Sequence, residues 1–438
     1  MRQTVSGAPR LRGAIVVPAD KSISHRAVIL GALASGESRV ANFLGAADCL
    51  STLRCIIALG VEVELDLDSL LRVRGRGLSW LREPSDVLDC GNSGTTMRLM
   101  SGLLSGRPFR SILTGDASLR SRPMMRVVEP LNSMGAEIHA HSTGTAPLTV
   151  NGGNLHGISY ASPIASAQVK SALLLAGLEA EGDTRIAEPQ RSRDHTERML
   201  SAMGAQVIIG PDNSVTITGS DSPMLEPLSM TVARDISSAA PWMVAAACHK
   251  DADLTITGVG VNETRTGIIE ILGAMGARVE LMSQRGEGGE PVADIRVSSS
   301  SLQATDVGSS SIPRAIDELP LVALAATQAE GRTTVRGAAE LRVKESDRLA
   351  GTAAILGAMG ASIEVTNDGW VIDGPTPLSG ASVTAGSDHR MAFLAAIAGL
   401  VATGETMVEG AETAAISYPG FWGEIDALAS GAPQSAAR

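Results

Sequence analysis

One short pattern recurs along this chain about every 70 residues, and it constrains the fold more than any other feature. It runs as an apolar residue, two spacers, Met or Leu, Gly, a small residue, then alternating apolar positions. It reads IIALGVEVEL at 56–65, LNSMGAEIHA at 131–140, LSAMGAQVII at 200–209, LGAMGARVEL at 272–281 and LGAMGASIEV at 356–365. Its glycines (Gly60, Gly135, Gly204, Gly276 and Gly360) are spaced by 75, 69, 72 and 84 residues, and a decayed sixth copy, IDALASGA, places Gly431 another 71 on. The pattern predicts a helix that stops at a glycine and turns into a half-buried strand. Glycine is the residue that takes the left-handed conformation past a last helical turn at little cost. Asp48, Asp194 and Ser346 are expected as N-caps of these helices, and Pro123 as a first-turn proline.

A second pattern interleaves with the first. Six apolar segments each follow a polar cluster: KSISHRAVILGALASG, GNSGTTMRLMSGLLSG, SAQVKSALLLAGLEAEG, DISSAAPWMVAAACHKD, DELPLVALAATQAEG and DHRMAFLAAIAGLVATG. Five of them are expected to end at Gly36, Gly106, Gly182, Gly331 and Gly404. The repeating unit is therefore helix, strand, helix, strand, present six times. It is too long for an ordinary solenoid repeat of roughly 20–45 residues, so small α/β units packed around shared apolar helices are expected, three to a domain. Ser283 to Ser311 reads as a loop excursion in the longest interval.

Phe, Trp and Tyr number 4, 4 and 2, so the core must be built from aliphatic side chains, and base stacking on aromatic rings is excluded as a binding mode. The net charge of −11 removes the broad basic face that nucleic acid requires. The first residues lack the apolar segment of a secretory signal, and no run approaches the ~18 apolar residues of a membrane span. The four cysteines, Cys49, Cys55, Cys90 and Cys248, show no CxxC spacing and no cluster with histidine, which speaks for reduced thiols and against metal. A soluble, cytosolic protein is expected.

Positions that align between repeats but differ in chemistry are candidates for function. The starts of the first-type helices carry Lys21, Ser22 and Arg26; Asn92, Ser93, Gly94 and Thr95; Ser166 and Gln168; Asp235; Asp317 and Glu318; Asp388, His389 and Arg390. The second-type starts carry Asp48, Arg122, Arg193 and Arg265, then Lys344, Glu345 and Arg348. Ser, Asp and Asn at such places are ordinary caps. Arg and Lys there oppose the helix dipole unless an anion compensates, so Arg122, Arg193, Lys344 and Arg348 point to a poly-anionic small ligand. Arg265, isolated among polar residues, is read as a surface charge. GNSGTT is not a P-loop, since no Lys follows its second Gly.

PADKSISHRAVILGALASGES, GNSGTTMRL, GDASLRSRPM, SAQVKSALLLAG, SRDHTERML, DELPLVALAA, LRVKESDRL and DHRMAFLAA, in this order over nearly the whole chain, resemble the EPSP synthase family. The resemblance implies an α/β fold of two inside-out α/β barrel (β-prism-like) domains, each of three βαβαββ units. Residues 21–232 would form the first domain, and 233–438 with 1–20 the second, with crossings near Ala19 and Val232 to Arg234. The family transfers the enolpyruvyl group of phosphoenolpyruvate to the 5-hydroxyl of shikimate 3-phosphate, releasing phosphate by addition and elimination in a cleft between the domains, on the route to chorismate and the aromatic amino acids. No metal or organic cofactor is implied, and the expected partners are these two small anions, with the chain a monomer. The cleft would close to assemble the site.

By the same resemblance Lys21 lies between the two substrates and assists proton transfer. Ser22 and Arg26 hold the shikimate carboxylate. Ser166, Ala167 through its N–H, and Arg193 take the 3-phosphate, and Gln168 lies against the ring. Asp317 and Lys344 contact the 5-hydroxyl, with Asp317 a candidate base, and Glu345 is a candidate acid/base at C3. Asn92, Gly94, Thr95, Arg122, Gln168, Arg348 and Arg390, with Lys21, bind phosphoenolpyruvate. SAQ and SRDHTE place the chain nearer the divergent bacterial branch of the family, in whose tolerant members an alanine stands at Gly94; glycine here would leave room for glyphosate. Where many members carry a lysine near the C-terminus, AAISYPGF has Ile416 or Ser417. Two rivals are the sister UDP-N-acetylglucosamine enolpyruvyl transferases and a non-enzymatic repeat scaffold. The first commonly carries a reactive cysteine where this chain has Ala117 and a Lys-Asn where it has Lys21-Ser22.

Overall fold

In a computed structural model of the chain, residues 1–220 and 223–429 are described. Gly431 of the sixth repeat and the tail Ser430–Arg438, expected to fray, lie outside the described residues. The chain divides into two compact units. The early unit is Ala19–Ala233 with Glu287–Glu290, and the late unit is Met1–Pro18, Arg234–Gly286 and Pro291–Arg438.

Each unit repeats one motif three times. An edge strand leads into an apolar helix and a central strand, then a second helix leads into an antiparallel pair. In the third copy, Ser159–Ala161 runs parallel to Asp183–Ala187, which pairs antiparallel with Ser214–Thr218, itself paired with Val207–Ile209. The helices Ala167–Gly177 and His195–Ala202 fill the two connections. Among the described residues five sheets have four strands in this order and one has three. Three of the sheets are completed from afar in sequence. Ser229–Thr231 lies parallel to Ser35–Ala41 in the first copy, Leu11–Ile15 lies parallel to Ala252–Gly260 in the fourth, and Arg2–Ser6 lies antiparallel to Glu405–Glu409 in the sixth.

The six apolar segments are helices: Lys21–Leu33, Gly94–Ser105, Ala167–Gly177, Ile236–Cys248, Leu319–Thr327 and His389–Val401. Apolar on every side, they are buried along nearly their whole length, as such helices must be. The sheets bury one face on them: Leu71, Val73 and Gly75 are inside while Arg74 and Arg76 are outside, and Gly31 of the first helix packs on Val73. The three apolar helices of the early unit carry no Phe, Tyr or Trp and approach closely. A Cβ at Gly102 would stand 2.1 Å from the Ala172 carbonyl oxygen of the neighbouring helix, which leaves room for glycine alone.

Among the described residues the helix-ending glycines of the first pattern take positive φ, from +81° at Gly276 to +101° at Gly135. Those of the second pattern differ in place. Gly36, Gly182, Gly331 and Gly404 lie beyond the helix ends, at or beside the start of the following strand, and only Gly106 of the five caps a helix, at φ −90°. Two cap expectations are corrected: Asp48 lies inside the first turn of Ala47–Ala58 and holds Lys21, and Asp347 rather than Ser346 caps Arg348–Ala358. Asp194 is the N-cap residue of His195–Ala202, with its carboxylate turned to Arg191 and Arg198 rather than to a helix N–H. Pro123 precedes the cap Met124 of the helix Met125–Ser133. The segment read as a loop is largely a hairpin, Arg278–Glu287 and Glu290–Ser298. Gly288 and Gly289, at φ +58° and +82°, supply the two left-handed residues that a tight hairpin turn demands.

Candidate active site

In the early unit the three apolar helices begin at Lys21, Gly94 and Ala167, capped by the side chains of Asp20, Ser93 and Ser166. Lys21 Nζ is 3.1 Å from Asp48 Oδ2. Arg26, one turn in and 3% exposed, donates to Thr196 Oγ1 at 2.6 Å, Ser171 Oγ at 2.7 Å and the Ser22 carbonyl at 2.9 Å. Arg193 reaches the Ser22 hydroxyl at 3.3 Å. Ser22, Arg26 and Arg193 therefore form one group. Between Lys21 and Arg26, His25 is buried and bonded to Thr52 Oγ1 at 2.6 Å; burial, then those two cations, push its pKa well down and keep it neutral.

A second group surrounds the Gly94 helix start. Arg122 donates to Asn92 Oδ1 at 2.7 Å, and Asn92 donates to Asp116 at 2.7 Å. Gln168 donates to Thr95 Oγ1 at 2.9 Å and accepts from Arg98 Nη1 at 2.5 Å. Arg98 also donates to the Pro123 carbonyl at 3.2 Å, and a Cβ on Gly94 would meet its Nη1 at 2.8 Å and Arg122 Nη1 at 3.4 Å. Arg98 thus joins this group, though it is not among the residues expected from the sequence. The available signal was a lone charge in an otherwise apolar, buried helix, GTTMRLMSGLL. Ser166 holds its helix start through Oγ and donates its own N–H to Glu188 at 2.7 Å, leaving Ala167 as the first helical residue.

The late unit gathers its groups around Arg348, which is 1% exposed. Its Nε is 2.8 Å from Asp388 Oδ2, its Nη1 3.2 Å from Asp317 Oδ1, and its Nη2 2.6 Å from Glu345 Oε2. Burial opposes the charge, but Asp388 and Glu345 overcome it and raise the pKa. Lys344, beside this cluster, has its pKa lowered, chiefly by burial and against the pull of Asp317. Arg390 is 7% exposed, donates Nη1 to the Ser237 carbonyl at 3.1 Å and has a buried Nε without a hydrogen-bond partner. Arg265 is not the surface charge expected. It is 3% exposed and donates to Asp235 at 3.1 Å and Ser237 Oγ at 2.8 Å, because the cap of the neighbouring helix supplies an internal carboxylate. Ile416 ends the short turn Ala411–Ile416, and Ser417 beside it is buried.

Among the described residues one group has metal-ligand character: Asp194, His195 and Glu290, with one ligand atom from each within 4.8 Å of the others. Its donors are already engaged, Asp194 by Arg191 at 2.8 Å and Arg198 at 3.0 Å, and His195 Nδ1 by Glu290 at 2.7 Å. Two guanidinium groups beside Asp194 disfavour a further cation. Among the described residues no helix is long and apolar enough to cross a membrane.

The model of the EPSP synthase (3-phosphoshikimate 1-carboxyvinyltransferase) family matches residues 5–425. A 3-phosphoshikimate 1-carboxyvinyltransferase from Herpetosiphon aurantiacus is 53% identical over 423 residues, covering 96% of this chain and 98% of its own. One from Roseiflexus castenholzii is 54% identical over 425 residues, with 96% and 98% covered. The solved structure of EPSP synthase from Acinetobacter baumannii superposes with a TM-score of 0.86 at 43% identity, covering 99% of this chain and 98% of that one. The enolpyruvyl transferase NikO from Streptomyces tendae shares the fold, with a TM-score of 0.78 at 20% identity over 97% and 96% of the two chains.

Proposed function

This chain belongs to the EPSP synthase family, and on that premise we propose which of its residues carry the reaction. It is an enzyme that transfers the enolpyruvyl group of phosphoenolpyruvate to the 5-hydroxyl of shikimate 3-phosphate in the shikimate pathway. In the addition step the hydroxyl oxygen bonds to C2 of phosphoenolpyruvate, the hydroxyl proton passes to a base, and C3 gains a proton. In the elimination step the bond from C2 to the phosphate oxygen breaks, C3 gives a proton back, and phosphate leaves. Neither step changes the total of electrons or needs a redox partner.

Lys21, Ser22, Arg26 and Arg193 receive shikimate 3-phosphate, with Ser166, the Ala167 N–H and Gln168. Asn92, Gly94, Thr95, Arg122, Arg348 and Arg390 receive phosphoenolpyruvate, and Arg98 holds Gln168 in place. Asp317 and Lys344 serve the 5-hydroxyl, and Lys21, Asp317 and Glu345 move protons. The observation that carries this assignment is the gathering of buried cations at helix starts in the early unit, where the dipole also favours anions. Burial, against the pull of Asp317, brings Lys344 down from its ordinary value. Gly94 leaves the space in which glyphosate competes with phosphoenolpyruvate. The enzyme works on these two small anions as a cytosolic monomer.

Phosphate release from shikimate 3-phosphate plus phosphoenolpyruvate tests the reaction itself. Full turnover by Glu345→Ala would overturn its place in the proton transfers.

A further inference from the structure

Glu188 has no place in the roles above, yet it is the most heavily bonded buried carboxylate near the helix start at Ser166. It follows the strand Asp183–Ala187 and is 5% exposed. Oε1 accepts the Ser166 N–H at 2.7 Å. Oε2 accepts the Ser192 hydroxyl at 2.7 Å and the Ser192 N–H at 3.3 Å, and lies 3.0 Å from Lys170 Nζ. Lys170 is on the first turn after Ser166, is 1% exposed, and also holds Glu197 Oε1 at 2.8 Å and the Ser192 carbonyl at 3.3 Å. Burial works against the charge of Lys170, but Glu197 and Glu188 outweigh it and its pKa lies above the ordinary lysine value.

The consequence is geometric. One carboxylate spans two separate segments, the cap of the Ala167–Gly177 helix and the turn that carries Ser192 and Arg193. It takes the N–H of the cap residue itself, which is bound in extended conformation at φ −143°, and so sets where the Ser166 hydroxyl and the following amides point. On the other side it fixes the residue next to Arg193, whose guanidinium reaches Ser22. A bare carboxylate beside a phosphate site would repel the ligand; Lys170, shared with Glu197, offsets part of that charge while staying buried.

We propose that Glu188, backed by Lys170, is a positioning residue for the 3-phosphate of shikimate 3-phosphate: it holds the Ser166 helix start and the Arg193 turn at the separation that one phosphate spans. This rests on the reading of Ser166 and Arg193 as the phosphate contacts. Glu188 itself does not touch substrate. Its loss should weaken one substrate selectively and leave the chemical step alone.

The test is Glu188→Gln, which keeps one acceptor oxygen and the side-chain shape but removes the charge. KM for shikimate 3-phosphate should rise about tenfold or more, the scale of a charge-assisted hydrogen bond. kcat and KM for phosphoenolpyruvate, measured at saturating shikimate 3-phosphate, should change less than about threefold. Glu188→Asp, which keeps the charge on a shorter arm, should recover part of the loss. Calorimetric titration with shikimate 3-phosphate alone should show the same ranking in Kd without relying on turnover. If Glu188→Gln fails to fold, Ser192→Ala, which removes one arm of the clamp, should still raise KM for shikimate 3-phosphate about threefold. A Glu188→Gln enzyme that loses thermal stability yet keeps its KM and Kd for shikimate 3-phosphate would overturn the clamp, as would an equal rise in both KM values. A wild-type protein that binds shikimate 3-phosphate but releases no phosphate would overturn the reaction assigned above and not the clamp; one that binds none would overturn both.

Discussion

The two units place helix starts at equivalent points of one repeated motif and fill them differently. In the early unit two of the three first-type helices are capped by serine, Ser93 and Ser166. The cations near them, Arg98, Arg122, Arg26 and Arg193, bond to amides, hydroxyls and carbonyls. In the late unit acids stand at all three starts, Asp235, Glu318 and Asp388, and Arg265 and Arg348 are bound to carboxylates. A guanidinium held by carboxylates has part of its charge balanced by them. The scaffold thus supplies the positions, and their chemistry differs: serine caps two starts of the early unit with Asp20 at the third, while acids at the late-unit starts bond Arg265 and Arg348. The aromatic residues divide too. Trp242, Phe393, Tyr418 and Phe421 pack together in the late unit, with Phe393 and Phe421 centroids 4.7 Å apart.

Four measurements press on this contrast. Lys21→Met removes a cation proposed to stand between the substrates. kcat should fall about 10²–10⁴-fold, the usual worth of a positioned proton-transfer group, with the unfolding midpoint little changed; wild-type turnover would remove Lys21 from the chemistry.

The second measurement compares arginines. Arg348→Met strands Asp388, which is fully buried, so denaturant unfolding should register a loss of about 3–5 kcal/mol. Arg122→Met removes a donor to Asn92 Oδ1 and should cost less stability than Arg348→Met while raising KM for phosphoenolpyruvate. Equal destabilisation by the two would erase the distinction between the units.

Gly94→Ala is the third. Its new methyl would meet Arg98 Nη1 at 2.8 Å, so inhibition by glyphosate should weaken about tenfold or more, and unchanged inhibition would show that the space is not used.

The fourth measurement concerns the aromatic cluster of the late unit, where the Tyr418 hydroxyl donates to Glu424. Burial, against the pull of Tyr418 and Arg234, pushes the Glu424 carboxyl up from its usual 4.5 to about 7. The folded chain therefore holds a proton that the unfolded chain has lost across that window. The corresponding stability is fully present below about pH 4.5 and is lost as pH rises through about 7. Relative to Glu424→Gln, the wild type should lose about 3 kcal/mol across the window, read from urea midpoints. Parallel pH profiles for the two proteins would show that Glu424 titrates normally.

Much of this was legible because the repeat carries its own punctuation. The glycine after each second-type helix, the polar cluster before each apolar run and the apolar circumference of those runs are local signals, and local geometry follows them. Arg98 was legible in principle, as a lone charge on a buried helix, and was passed over. Arg265 was not. Its neighbours in sequence are polar, and what buries it is Asp235 and Ser237 at the start of a different helix, brought near by the fold. The hairpin Arg278–Ser298 was hidden by its serine and glycine content, since a two-glycine turn and a loop look alike until the strands pair.

By itself the sequence determined a six-fold α/β repeat, which helices must be buried, and which helix starts could meet anions. These follow from side-chain periodicity and capping, which act over a few residues. Only the tertiary structure decided that Leu11–Ile15 and Ser229–Thr231 complete sheets begun more than a hundred residues away, and that one carboxylate, Glu188, joins Ser166 to Ser192. It also decided which arginines spend their charge on the protein's own acids. Strand pairing and buried charge matching join residues far apart in the chain, and such distant partners leave no periodic trace in either segment.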